Sequence, residues 1–173
     1  MQITKIISSA SVERLKQKAR KLKREKYITH TQALDEVAVS AGFNHWHQVV
    51  QANDLLKPSE VALSSGCVMA FDVKDGMDVD TSDGVFIEDH FLEMLTEKQL
   101  FEIYANSPDE GDEQNRPLKE TLSDSELQEY FRDDCSFMYF RLAESHANKP
   151  LKEVLALIRQ YSFWMPQYIW LQG

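Results

Sequence analysis

The sequence predicts an α+β protein: an N-terminal three-helix module at residues 1–58 followed by a small mixed α+β domain at 59–173. Three observations predict it. Apolar residues recur at helical spacing through the first stretch, between legible caps. Short apolar runs, turn residues and helical patterns then alternate without the regular strand–helix order of a doubly wound sheet. Charge also changes sign between the two parts. Met1–Pro58 holds 10 Lys and Arg against 5 Asp and Glu, and the remainder holds 9 against 23. The head is therefore +5 and the body −14, which together give the chain's −9. A basic head on an acidic body implies two surfaces that face different partners, or face each other.

Helix by helix, the head reads as follows. Ser11 opens a first helix with Val12, Leu15, Ala19 and Leu22 on one stripe. The opposite surface carries Arg14, Lys16, Lys18, Arg20, Lys21, Lys23, Arg24 and Lys26. Thr29-His30-Thr31-Gln32 is a capping box, which starts a second helix with Ala33, Leu34, Val37, Ala38 and Ala41 buried. Gly42 stops it in the left-handed conformation and Phe43 packs over its end. Asn44 caps a third helix from His45 to about Asn53, with Trp46, Val49 and Val50 inward.

Two helices joined by a short Gly-containing turn are compatible with helix-turn-helix geometry. In that arrangement the third helix presents His45, His47, Gln48 and Gln51 to base edges, while the Lys/Arg row of the first grips phosphates. A plain three-helix bundle solvated by its cations satisfies the same spacing. His30 lies in a capping turn. His45 and His47, two apart, point in different directions on a helix and make poor joint metal ligands.

The basic helix, Ile28-Thr29-His30-Thr31-Gln32-Ala33-Leu34-Asp35-Glu36-Val37-Ala38 and Gly42-Phe43-Asn44-His45-Trp46 together resemble a short helical module of bacterial glyoxalase-related proteins, many carried on plasmids and other mobile elements. The resemblance covers about residues 11–50 and implies a shared fold unit. A glyoxalase activity would require paired βαβββ units and a His/Glu metal set. The body has no such repeat, so that activity is not carried over.

Leu56-Lys57-Pro58-Ser59 marks the seam, where the helical pattern lapses. In the body, Gly66–Val73 is a buried strand, Asp75-Gly76 a turn and Gly84–Ile87 a second strand. Thr96-Glu97-Lys98-Gln99 is a capping box for a helix through Tyr104, with Leu100, Phe101 and Tyr104 inward. Asn106–Pro117 is an acidic solvated loop. Ser123-Asp124-Ser125-Glu126 caps a further helix with Leu127, Tyr130 and Phe131 inward. Phe137–Leu142 is a strand. Pro150 starts a final helix on which Leu151, Val154, Leu155 and Ile158 share a face. Pro166 confines the closing aromatic segment to a sheet edge or an irregular end. Its Trp164, Tyr168 and Trp170 serve the core or, where exposed, an interface.

A globular chain of 173 residues needs neither disulfide nor metal to hold its core. Cys67 and Cys135 lie outside any CxxC or metal spacing and are expected as reduced thiols. Met1–Ala10 lacks the apolar run of a leader, and no stretch approaches the ~20 apolar residues that cross a bilayer. A soluble cytoplasmic protein without membrane contact is expected.

No Gly-rich phosphate loop and no G-x-S-x-G elbow is present. Asp78–Gly84 imitates a calcium loop, but Asp83 holds the sixth place where an EF-hand needs Gly, so a solvated hairpin is expected. The leading expectation is a non-enzymatic binding or regulatory protein without cofactor or metal. Its basic head contacts nucleic acid or an acidic partner, and its body carries regulation or self-association. A second reading makes the acidic domain a nucleic-acid mimic that occupies a basic groove on a protein partner, with Asp109, Glu110, Asp112 and Glu113 among its charges. A third is a small metal-dependent hydrolase built on Asp72, Asp80, Glu88, Asp89 and His90.

Overall fold

A computed structural model describes residues 5–172 of the chain. The first four residues, part of the Met1–Ala10 segment read above for a leader, and Gly173 lie outside the described residues. The chain divides into two compact units, one ending at Glu60 and the other starting at Val61. The fold is α+β, with eight α-helices and a four-stranded antiparallel sheet among the described residues.

The first unit is built from three helices. α1 (Ser9–Lys26) starts two residues ahead of Ser11, where the sequence pattern opens it: Ser8 is the N-cap, and its side chain accepts from the Ser11 N–H. Val12, Leu15 and Ala19 are its buried stripe. α2 (His30–Ser40) begins with the expected capping box, in which the Gln32 N–H donates to Thr29 Oγ1 at 3.3 Å and the Thr29 N–H to Gln32 Oε1 at 3.0 Å. It ends as expected too. Gly42 takes φ +82°, the Phe43 N–H donates to Ala38 O at 2.9 Å and the Gly42 N–H to Val39 O at 2.9 Å. Lys5 Nζ donates to the Gly42 carbonyl and sits 4.7 Å from the centre of the Phe43 ring.

α3 (Trp46–Ser65) differs from expectation at both ends. Asn44 does not cap it; its N–H donates to Gln48 Oε1 at 2.8 Å. The start is held by Asp35, whose Oδ1 accepts the Trp46 N–H at 2.8 Å, and by His45, whose carbonyl accepts from Gln48 at 3.1 Å. The helix then runs through Leu56–Ser59 without lapsing. Pro58 brings no N–H to the helical ladder, and it is accommodated on the exposed side of the helix, where Asp54, one turn earlier, is exposed as well. Leu56 and Ser59 meanwhile remain buried. The core of this unit joins Val12, Leu15, Ala19, Ala33, Val37, Ala38, Phe43, Val49 and Ala52.

The second unit is a three-layer arrangement around a sheet of order β2-β3-β1-β4. The strands are β1 (Cys67–Asp72), β2 (Phe86–Glu88), β3 (Phe137–Leu142) and β4 (Tyr168–Leu171). β1 is central, pairing Val68 with Arg141 on one side and with Trp170 on the other. Its side chains alternate between two cores. Cys67, Met69 and Phe71 join Phe86, Phe140, Val154 and Ile158 on one face. Val68 and Ala70 join Leu92, Leu100, Phe131 and Tyr139 on the other. That double burial explains why β1 reads as a continuous apolar run. The first face is covered by α8 (Leu151–Tyr161), the second by α5 (Phe91–Ala105) and α7 (Asp124–Asp134).

Several elements shift from their sequence reading. Asp75-Gly76 is not a hairpin turn but part of a single helical turn, α4 (Val73–Gly76), capped by Asp72. Gly76 is needed there because a Cβ would meet Met138 Cβ at 2.8 Å and its Sδ at 2.9 Å. The second strand starts at Phe86, since Gly84 takes φ +74° and Asp83 Oδ1 accepts the Val85 N–H in a turn. Thr96 caps nothing. α5 starts five residues earlier, where Asp89 Oδ1 accepts the Phe91 N–H, and Thr96 is buried mid-helix with its hydroxyl on Leu92 O. Tyr130 and Leu151, expected inward, are 46% and 50% exposed; the buried positions of their helices are Leu127 and Phe131 on α7 and Val154 and Ile158 on α8.

The Ser123 capping box and the Phe137–Leu142 strand stand as expected. Pro150 is the N-cap of α8 rather than its first residue. α6 (Leu118–Thr121) is a single turn beyond the acidic loop. β4, just past Pro166, is an edge strand.

Two substitutions test these assignments by chemical denaturation. Gly42→Ala should cost about 1–2 kcal/mol, the penalty of a left-handed non-glycine residue. Phe71→Ala should cost about 3–5 kcal/mol, because the ring is fully buried beside Phe140 at a centroid distance of 5.5 Å.

Candidate nucleic-acid interface

α1 carries eight cations and two acids in 18 residues. Its buried stripe leaves two flanks and an outer side. Arg14, Lys18 and Lys21 recur at helical spacing along one flank, and Lys16, Arg20 and Lys23 along the other. Arg24 lies between them on the outer side, and Lys26 ends the helix. The cations therefore form two rows, not one.

Three of the eight are paired. Lys16 Nζ is 2.6 Å from Glu13, Lys21 Nζ 3.7 Å from Glu25, and Lys26 pairs with Glu36. Among the described residues Arg14, Lys18, Arg20, Lys23 and Arg24 have no ion pair, and all five are exposed. Lys23, Arg24 and Lys26 also occupy the last helical turn, where a cation meets the negative end of the helix dipole.

The four residues expected on a reading helix divide into two kinds. Gln48 is committed to the backbone of Asn44, and His45 precedes the helix, with Nδ1 3.4 Å from the Gln48 nitrogen. His47 and Gln51 are exposed, four residues apart on the outer side of α3. The two imidazoles do not point apart: because His45 is outside the helix, the rings lie 6.2 Å apart and 17° from parallel.

The acidic body uses many of its carboxylates internally. Asp75 accepts from Gln167 Nε2 at 3.3 Å, Asp78 from Trp164 Nε1 at 3.2 Å and Asp83 from the Tyr161 hydroxyl at 2.5 Å. The expected solvated hairpin is thus a loop pinned to the segment between α8 and β4. Ser82 lowers the pKa of Asp80 by hydrogen bonds from its side chain and backbone. Asp89 is buried and takes Arg141 Nε at 3.0 Å. No group of three or more His, Cys, Asp or Glu side chains that could hold a metal ion comes together among the described residues.

The Asn106–Pro117 loop is solvated but built. Pro108 and Pro117 bridge its ends, and Asp112 takes the Arg116 guanidinium at 2.7 and 3.2 Å together with the Gln114 and Arg116 N–H groups. Those bonds, the guanidinium first, hold Asp112 down to about 2. Only Glu110 and Glu113 of the four acids singled out by sequence are fully outward.

A groove of about 460 Å³ beside α5 and α7 is lined by Phe101, Ala105, Leu127 and Gln128 with Lys119 and Asp124. It gathers no cluster of nucleophile, base and oxyanion donors.

Sequence reasoning missed the Phe163-Trp164-Met165 surface as a unit. These residues are 84%, 45% and 41% exposed, whereas Tyr168 and Trp170 pack on the α5–α7 core. The signal was there in three consecutive apolar residues ahead of a proline, but which aromatics the sheet covers depends on the pairing of β4.

No family model, curated protein or solved structure matches this chain. Among the described residues no helix is long and apolar enough to cross a membrane.

Thiol chemistry offers a check on the body's core. Burial pushes the Cys67 thiol up to about 12, and burial followed by the Asp134 charge also raises Cys135. A higher pKa leaves less thiolate at pH 8, so a disulfide reagent should label Cys135 slowly and Cys67 only on unfolding. Rapid native labelling of two thiols would contradict the packing of β1.

Proposed function

We propose that this protein is a non-enzymatic binding protein whose basic head contacts nucleic-acid phosphates through α1. The observation that carries the reading is the pair of cation rows on α1, with five exposed cations outside any ion pair among the described residues. A chain of net −9 gains nothing in solubility from concentrating cations on one helix, whereas a polyanion gains a contact at each. Two rows along one helix suit the two phosphate strands that border a groove. His47 and Gln51 of α3 are the side chains left to reach a base edge.

The resemblance of residues 11–50 to the helical module of mobile-element proteins is compatible with such a role but does not specify it. The nucleic-acid-mimic reading has less support, since of the four loop acids it singles out Asp112 is ion-paired with Arg116, Asp109 is half-buried and two, Glu110 and Glu113, are exposed. A hydrolase at Asp72–His90 would need carboxylates that Asp72 and Asp89 spend on α4, α5 and Arg141.

The test is binding of the full chain to labelled duplex DNA and to RNA across a salt series. Roughly four to six phosphate contacts predict a log–log slope near −3 to −5. Replacing Arg14, Lys18 and Lys21 by Gln, or separately Lys16, Arg20 and Lys23, should flatten that slope by about two to three for each row that meets phosphate. Absence of salt-dependent binding to either polymer, or binding indifferent to both triple substitutions, would remove the reading.

A further inference from the structure

We infer that the exposed segment Phe163–Met165 is a docking surface for the basic end of α1 from a second copy of this chain. The inference stands apart from nucleic-acid binding and needs none. Three consecutive apolar side chains exposed to water are unusual on a globular surface unless something covers them. Here two of them are held in place. Trp164 donates its N–H to Ser162 Oγ at 3.1 Å and its indole N–H to Asp78 at 3.2 Å, and the Phe163 ring packs edge-on against it at 4.9 Å. An ordered aromatic surface loses little side-chain freedom on binding. Met77, adjacent to Asp78, is 75% exposed.

Charge selects the occupant. Residues 72–83 carry five Asp and one Lys, a net of −4, and none of those Asp is in an ion pair among the described residues. Like-on-like pairing of this surface would bring two such stretches together and is disfavoured. The complementary surface exists on the same chain. α1 ends in Lys23, Arg24 and Lys26, and the next residue, Tyr27, is 95% exposed at φ 55°. That tip offers an aromatic ring among cations where the body offers aromatic rings among carboxylates. Contacts of head on body can be reciprocal under a two-fold axis, which closes the assembly at a dimer, or can repeat head to tail into chains.

Sedimentation of the full chain over a concentration series, at low and at high salt, tests the inference. The expected result is mass above the 20.0 kDa of one chain at low salt, reverting toward one chain as salt rises. Two exposed-site variants separate the contacts: Phe163→Ser with Met165→Ser, and Lys23→Glu with Arg24→Glu. Each should weaken association at least about tenfold while thermal melts show the fold retained. An equimolar mixture of the two variants keeps one intact head and one intact aromatic surface, and should associate more tightly than either alone. A single-chain mass at every concentration overturns the inference. So does association lost with the aromatic variant but untouched by the charge variant, which would mean that the surface docks on itself.

Discussion

Burial of β1 on both faces is the constraint on which the body depends. Cys67, Met69 and Phe71 on one side and Val68 and Ala70 on the other are removed from water, so two separate helical layers must be supplied to cover them. α8 meets the first requirement, α5 and α7 the second. The carboxylate contacts follow from the same demand. The loop from Met77 to Val85 leads from α4 to β2 and meets the end of α8 and the turn that follows it. Asp78 and Asp83 join them there, with Gln167 bridging the Asp72 N–H and the Asp75 carboxylate. An acid-rich stretch that resembles an ion loop in sequence is, in the fold, the fastening of two connections.

Local signals were the legible ones. The Thr29 and Ser123 caps, the Gly42 stop and the Phe137–Leu142 strand could be read because each is decided by residues within about one turn of one another. The errors came where a distant partner decides. α5 begins at Phe91, whose N–H is accepted by Asp89, a buried carboxylate that also takes Arg141 of the neighbouring strand β3. Thr96-Glu97-Lys98-Gln99 has the pattern of a capping box, but Thr96 is buried beneath the sheet and its hydroxyl turns back to Leu92. Asn44 looked like the cap of α3, yet an acid of the preceding helix holds that end. Pro58 looked like a break and is accommodated on an exposed side.

The candidate site was legible in composition and less so in geometry. Counting charges located the cations of α1, while their division into two rows and the pairing of Lys16, Lys21 and Lys26 with acids required the helix to be placed. Gln48 is tied to the Asn44 backbone and His45 precedes α3, so of four polar residues on paper only His47 and Gln51 stand on the exposed side of the helix itself. The aromatic surface at Phe163–Met165 could not be told from core by sequence, since Tyr168 and Trp170, a few residues on, are covered.

The sheet's two outer strands bear on how the protein behaves when crowded. β2 is three residues long and β4 four, the latter approached through a proline that cannot donate a backbone hydrogen bond. Each rim therefore offers too short a run of unpaired peptide groups to template a further strand from a neighbouring molecule. A body with a highly apolar central strand is in this way kept from growing into extended β-aggregates, and any association it undergoes must use side chains rather than the backbone of its sheet.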